Sequence, residues 1–254
     1  MASPKTEATC CPIVELRQYT MHPGQRDALI ELFEREFIES QEALGIQVIG
    51  QFRDLDDPNR FVWLRGFSAM RARAEALQAF YFGGSVWQAH RAAANATMID
   101  SDNVLLLRPA RAGSGFALPA SEHRPPYGAR EAARGLVVAS IFSVDARIDS
   151  FLDFWERALM PVVESGATLL GSFVTESSPN TFPALPVREG EQAFAWFAGF
   201  ADPTAHAEYV ATLARSSRWR DALAEALARH LKGPPEMLRL VPTARSQLCG
   251  LPHT

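Results

Sequence analysis

Trp63-Leu64-Arg65-Gly66-Phe67 returns in the second half of the chain as Trp196-Phe197-Ala198-Gly199-Phe200. The matches continue on both sides of this anchor. Leu32-Phe33-Glu34-Arg35 corresponds to Phe154-Trp155-Glu156-Arg157, and Gly45, Gly50 and Phe52 line up with Gly166, Gly171 and Phe173 at one constant offset. Trp87 falls opposite Trp219, and Leu105-x-Leu107-x-Pro109 opposite Leu238-x-Leu240-x-Pro242. An ordered series of Trp and Gly matches through a whole half marks an internal duplication. Within the sheet region the offset grows once, between Thr175 and Gln192, where the second copy carries a longer Ser/Pro-rich hairpin.

Each copy reads as β-α-β-β-α-β. Val14 to Thr20 alternates like a strand, and Leu29, Ile30, Phe33, Phe37 and Ile38 recur at helical spacing. Ile46 to Asp54 and Phe61 to Phe67 read as strands around the turn Asp56-Asp57-Pro58-Asn59, and two helical pieces broken at Gly83-Gly84 lead to a strand from Asn103 to Arg108. This order predicts an α+β fold of two tandem ferredoxin-like domains, residues 13–109 and 135–243, joined by a Pro/Gly/Ala-rich linker at 110–134. The strands of the first half show few polar positions on either face. A sheet with helices on one side only is wet on the other unless something covers it. The predicted cover is a second sheet, from the sister domain or from another copy of the chain.

Composition excludes several classes. The chain has 254 residues, 47% hydrophobic and 21% charged, with a formal net charge of −4. It can bury a full core and has no general attraction for nucleic acid. No apolar run approaches a membrane span, and Met1 to Thr9 lacks the basic start and apolar core of a signal peptide. Cys10, Cys11 and Cys249 form neither a disulfide framework nor a metal-ligand spacing. They read as free thiols in flexible ends of a cytoplasmic protein. No histidine or carboxylate pair has recognised metal spacing, and no metal or cofactor is expected from the residues.

The opening Glu15-Leu16-Arg17-x-Tyr19-x-x-x-Pro23-Gly24, with Gly45, Gly50, Trp63-x-x-x-Phe67 and the helix holding Arg71, Trp87 and Arg91, resembles the NIPSNAP family. The resemblance covers residues 13–109 well and 135–243 more loosely. It implies a fold of the dimeric α/β-barrel type, whose superfamily includes cofactor-independent monooxygenases, haem-binding enzymes and isomerases. Haem enters as a cofactor through that resemblance alone. The second copy departs from the pattern: Val138 to Ile141 replace the Arg-x-Tyr of the first strand, and Ala198 replaces Arg65. A ligand site is therefore expected in the first half.

The candidate residues follow from strand and helix periodicity. Glu15, Arg17 and Tyr19 share one face of the first strand, and Trp63 and Arg65 one face of the third. If the faces coincide they form a polar-aromatic patch suited to a planar, partly anionic ligand. The competing reading pairs Glu15 with an arginine to fix the packing of the domains. Trp87, His90 and Arg91 share a helical face, and Tyr81 precedes them. His90, Tyr19 and Arg65 are the candidate catalytic residues, and Arg17, Trp63, Tyr81, Trp87 and Arg91 the candidate binding residues. His206 and His230 lie on second-half helices without a partner pattern. The expected function is binding or transformation of a small, mostly apolar planar molecule, by a homo-oligomer or by domains paired within the chain, as in a cofactor-independent oxygenase or isomerase. The alternative is a non-catalytic assembly protein built on the duplicated unit.

Overall fold

The computed structural model describes residues 10–118, 124–129, 135–145 and 147–251. The N-terminal run Met1–Thr9, most of the second part of the expected linker, and His123 and His253 lie outside them.

The first half carries β1 (Ile13–Met21), α1 (Arg26–Leu32), α2 (Ile38–Glu42), β2 (Gln47–Asp54), β3 (Arg60–Phe67), α3 (Met70–Gln78), α4 (Ser85–Asn95) and β4 (Met98–Pro109). The second half repeats the order with β5 (Leu136–Ser143), α5 (Ile148–Phe154), α6 (Met160–Glu164), β6 (Thr168–Thr175), β7 (Ala193–Phe200), α7 (Pro203–Arg215), α8 (Ala224–Ala228) and β8 (Glu236–Pro242). The helical run read from the spacing of Leu29 to Ile38 contains a π-helical turn at Phe33–Phe37, and its counterpart has one at Trp155–Leu159. The widened turn therefore falls on the same matched aromatic in both copies, as an inserted residue does when it is inherited with the repeat.

The strands close one barrel in the order β1-β3-β2-β8-β5-β7-β6-β4. Of the two covers expected for each sheet, the sister half or another copy of the chain, the structure shows the sister half, and the two units share one closed barrel rather than standing as separate domains. Each half contributes four strands, and ladders of three residue pairs join them: Phe52–Asp54 with Leu240–Pro242, and Leu107–Pro109 with Phe173–Thr175. The duplicated glycines explain how the strands bend to close. The register shifts at Gly50 in β2 and at Gly171 in β6, the bulges that barrel curvature needs. An added Cβ would lie 2.5 Å from the Phe52 ring at Gly50 and 2.9 Å from the Phe173 ring at Gly171.

Closure also explains the scarcity of polar strand positions. Val14, Leu16, Val62, Leu64, Leu105 and Leu107 point into the barrel, where they meet Val137, Ala139, Phe197, Leu238 and Leu240 of the other half. The alternate residues of each strand point outward under that half's own helices. Each sheet is thus buried on both faces, and the cover predicted for it is the sister half. Two further expectations are corrected here. Cys11 is no tail residue: it is buried in the barrel core with its Sγ against Gly66. The start of the expected linker is built in as well, because Phe116 fills the barrel between Phe173 and Phe197 at ring-centroid distances of 4.6 and 5.0 Å. No described helix is long and apolar enough to cross a membrane.

Candidate functional site

The two outward faces, one per half, are where side chains converge beneath helices. In the first half the register sets Glu15 opposite Arg65 and Arg17 opposite Trp63, so the patch anticipated from alternation is present. Glu15 is its centre. Arg17 donates from Nη1 to Glu15 Oε2 at 2.6 Å, and Arg65 from Nε to the same oxygen at 2.7 Å. Arg73, on α3, donates from Nε to Oε1 at 2.5 Å. Arg17 Nε also reaches Tyr19 Oη at 2.9 Å and Arg65 Nη1 reaches Tyr81 Oη at 3.3 Å. The Arg65 guanidinium lies over Trp63, 5.1 Å from the ring centre. All four charged side chains are at most 1% exposed.

Burial alone would push the Glu15 carboxyl up, but Arg65, Arg17 and Arg73 together hold it well below the usual carboxylate range. Three cations share one anion, and Arg73 Nη2 and Trp63 Nε1 are buried without a hydrogen-bond partner. The long hairpin of the second half closes the cluster from above. Asn180 Oδ1 and Thr181 Oγ1 accept from Arg73 Nη1 at 3.0 and 3.1 Å, and Phe182 stacks on Tyr81 with centroids 6.0 Å apart. The insertion seen in the sequence is therefore an arm that crosses to the first half.

The remaining predicted residues are partly gathered in. Tyr19, Trp63, Tyr81 and Trp87 wall a hollow of about 40 Å³ beneath Phe33 and Phe37, room for a few waters at most. His90 is not part of it. Its Nε2 lies 3.5 Å from Glu36 Oε2 at the edge of Phe37, about a third exposed, and Arg91 is exposed.

The second half holds a different arrangement at the same positions. Matched strand registers put Val138 where Glu15 stands, Ser140 for Arg17, Phe142 for Tyr19 and Ala198 for Arg65, with Trp196 in place of Trp63. The chain from Gly66-Phe67 to Arg73 is as long as that from Gly199-Phe200 to His206, so His206 takes the place of Arg73. Every charged group of the cluster is replaced by a smaller, uncharged or neutral one. What results is a cavity of about 280 Å³ between β5, β7 and β8 below and α7 and the turn at Trp219 above. Its walls are aromatic: Phe142, Trp155, Trp196, Phe200, Tyr209 and Trp219. Val210 and Met237, 42% and 50% exposed, flank it at the surface.

Few polar groups touch this cavity. Ser140 Oγ and Trp196 Nε1 are buried with no hydrogen-bond partner, on residues paired across β5 and β7. His206 is 6% exposed, edge-on to Phe200 at 5.0 Å. Burial lowers its pKa below the ordinary 6.5, the nearby Arg239 lowers it further, and Asp56 opposes them, which leaves the imidazole neutral at pH 7. Among the described residues no Lys, Arg, Asp or Glu lines the space, and no group of three His, Cys, Asp or Glu is placed to hold a metal. This cavity does not fit haem: it falls just short of the range for drug-sized ligands, and no described cation lines it to meet the haem carboxylates.

Comparison with known proteins gives the first half its family, since the NIPSNAP family matches over residues 14–112. Residues 14–112 are a NIPSNAP domain. That domain holds the Glu15 cluster and the hollow beside it. The barrel as a whole is similar to that of an anthrone oxidase-like protein, at 14% identity and TM-score 0.57 over 93% of this chain and 95% of that one. A monooxygenase candidate from Lactobacillus acidophilus NCFM is similar at 16% identity and TM-score 0.56, over 92% of this chain and 94% of its own. These likenesses establish the shared fold, with the NIPSNAP domain as one half of it. No curated protein matches the sequence.

The sequence located the NIPSNAP-domain cluster but not Arg73, and it passed over Ser140, Ala198, Trp196 and His206. The signal for the second set was present in the alignment of the halves. Arg17 against Ser140, Arg65 against Ala198 and Arg73 against His206 each trade a long side chain for a shorter one, at positions whose neighbours stay large.

Proposed function

We propose that the protein binds a small, mostly apolar planar molecule in the cavity of its second half. The observation that supports this reading is the contrast between pseudo-equivalent places. One is filled by an ion cluster, and the other is hollow, aromatic-walled and open at the surface. In this reading the two halves are ferredoxin-like units of a duplicated ancestor, residues 13–109 and 135–243. The first has become structural at its outer face, and the second has kept the space. Oxygenation without a cofactor, or isomerisation, needs a base and donors for the resulting oxyanion. His206 as base, with Ser140 and Trp196 as donors, is the set this cavity offers.

A second reading rests on the unpaired Arg73 Nη2 and Trp63 Nε1. A planar anion held by Arg17, Arg65 and Arg73 beside Tyr19 and Tyr81 would pair them, once Trp87 and the helix carrying His90 and Arg91 moved away. The neutral dye N-phenyl-1-naphthylamine, bright in apolar surroundings, separates the two. The proposal expects one dye per chain, lost in Val210→Trp, which fills the mouth of the cavity, and kept in Arg65→Met. Dye binding unaffected by Val210→Trp contradicts it.

A further inference from the structure

Resting on that reading, we infer that the second-half cavity selects a neutral ring compound bearing one carbonyl-type acceptor, read by the paired donors Ser140 and Trp196. Shape alone would admit any flat hydrocarbon. At the floor, however, two polar atoms have no partner and are covered in the empty site, Ser140 Oγ and Trp196 Nε1, so that an acceptor meets them as the two side chains turn toward it. An indole N–H can only donate, and a serine hydroxyl donates as readily as it accepts. Because the two residues are direct partners across the β5–β7 ladder, their side chains leave the same face side by side. One acceptor oxygen with two lone pairs is the simplest group that satisfies both. A buried donor without a partner weakens the folded state, and a ligand that supplies one gains what the empty site forgoes. A site so built discriminates against an analogue that lacks the acceptor.

The same lining argues against an anion. The first half shows what this face of the barrel carries when charge is buried there: three guanidiniums around one carboxylate. At the matching positions the second half has Ser140, Ala198 and His206, and among the described residues no cation lines the space in place of the lost arginines. Arg239, whose charge acts on His206, is engaged by Asp56, with Nε to Oδ2 at 2.9 Å. A carboxylate would enter without a counter-charge and meet the full cost of its desolvation. The walls suit a ring instead: the Trp155 and Trp196 centroids are 5.5 Å apart and tilted, and Tyr209 packs on Phe200 at 5.5 Å.

The test is displacement of N-phenyl-1-naphthylamine from the full-length protein by three compounds of one shape: 2-acetylnaphthalene, 2-isopropenylnaphthalene and 2-naphthoate. The first two differ only in C=O against C=CH₂. Their affinity ratio cancels hydrophobic partitioning when it is compared between wild type and variants. Ser140→Ala and Trp196→Phe should each lower the ketone-to-alkene ratio by roughly fivefold, whatever the change in the wall does to the affinities of both compounds. The naphthoate should displace the dye least. A ratio unchanged in both variants overturns the acceptor assignment, and naphthoate binding as tight as the ketone's overturns the neutral class. Dye and alkene would still bind in either of those cases. If none of the compounds binds and the dye is indifferent to Val210→Trp, the cavity reading itself falls, and this inference with it.

Discussion

Glu15→Gln tests the account of the NIPSNAP domain at its most constrained point. The carboxylate takes hydrogen bonds from Arg17, Arg65 and Arg73, and none of the four side chains is more than 1% exposed. Glutamine keeps the shape and removes the only anion in the cluster. Breaking a buried ion pair from one side typically costs about 3–5 kcal/mol, since the partner's charge stays buried without compensation. Three guanidiniums are stranded here, so the upper part of that range is expected. In a chain of this size 1 kcal/mol moves Tm by about 2–4 °C, which puts the fall at roughly 10–20 °C. Calorimetry at pH 7 measures it. Replacing Glu15, Arg17, Arg65 and Arg73 together by Leu or Met should cost less than Glu15→Gln alone, because no charge is left behind. The pH dependence carries the same signature. The Glu15 pKa is depressed in the fold, so its contribution is present above its ordinary value of 4.5 and drains away as pH falls below it. The Gln variant should have a flatter acid limb. A loss under about 1 kcal/mol, with an unchanged acid limb, would refute this role for the cluster.

Other outcomes follow from the same structure. Gly50→Ala should lower stability by about 1–3 kcal/mol in urea unfolding, because the new Cβ would sit 2.5 Å from the Phe52 ring and 2.8 Å from Ser246 Oγ; an unchanged midpoint would show that the bulge has room to spare. Phe182→Ala should free the arm, read as faster amide exchange from Asn180 to Leu185, since Phe182 is only 5% exposed and packs on Tyr81 and Phe82. Exchange at the wild-type rate would mean that the contacts to Arg73 hold the arm by themselves. Affinity of the cavity for the neutral dye should be flat at and above pH 7 and weaken only in acid, below the ordinary histidine value of 6.5. His206, whose pKa is lowered in the fold, then gains a charge against an apolar wall, whereas Tyr209, raised by burial, stays neutral throughout. His206→Gln should abolish that dependence, and its persistence in the variant would assign the titration elsewhere.

The repeat was legible because its anchors are residues with few substitutes. Gly50 and Gly171 are required by bulges that leave no space for a Cβ, and Phe33 and Trp155 begin the same widened turn. Alternation likewise placed Glu15, Arg17 and Arg65 together, as residues of period two on neighbouring strands must be. Closure into one barrel was implied by the family resemblance and by no residue pattern. It depends on which sheet edges meet, through ladders of only three pairs, and such edges carry no sequence signature of their own. Phe116 gave no sign of its burial for the same reason, since it lies between Phe173 and Phe197 of the other half. Arg73 was missed because its helix position acquires meaning only once α3 is laid across β3. The second-half cavity gave no signal either: the loss of the Arg17 and Arg65 equivalents put a ligand site there in doubt. A cavity is made by what is small, and Ser140 carries no chemical flag.

The most direct measurement is a crystal structure of the protein with 2-acetylnaphthalene bound. The account predicts the ring between Trp155, Trp196 and Tyr209, with the ketone oxygen within hydrogen-bond distance of Ser140 Oγ and Trp196 Nε1 and the Glu15 cluster undisturbed. A ligand found instead beside Tyr19 and Trp63 in the NIPSNAP domain, with the arm displaced from Arg73, would contradict the assignment of the site to the second half.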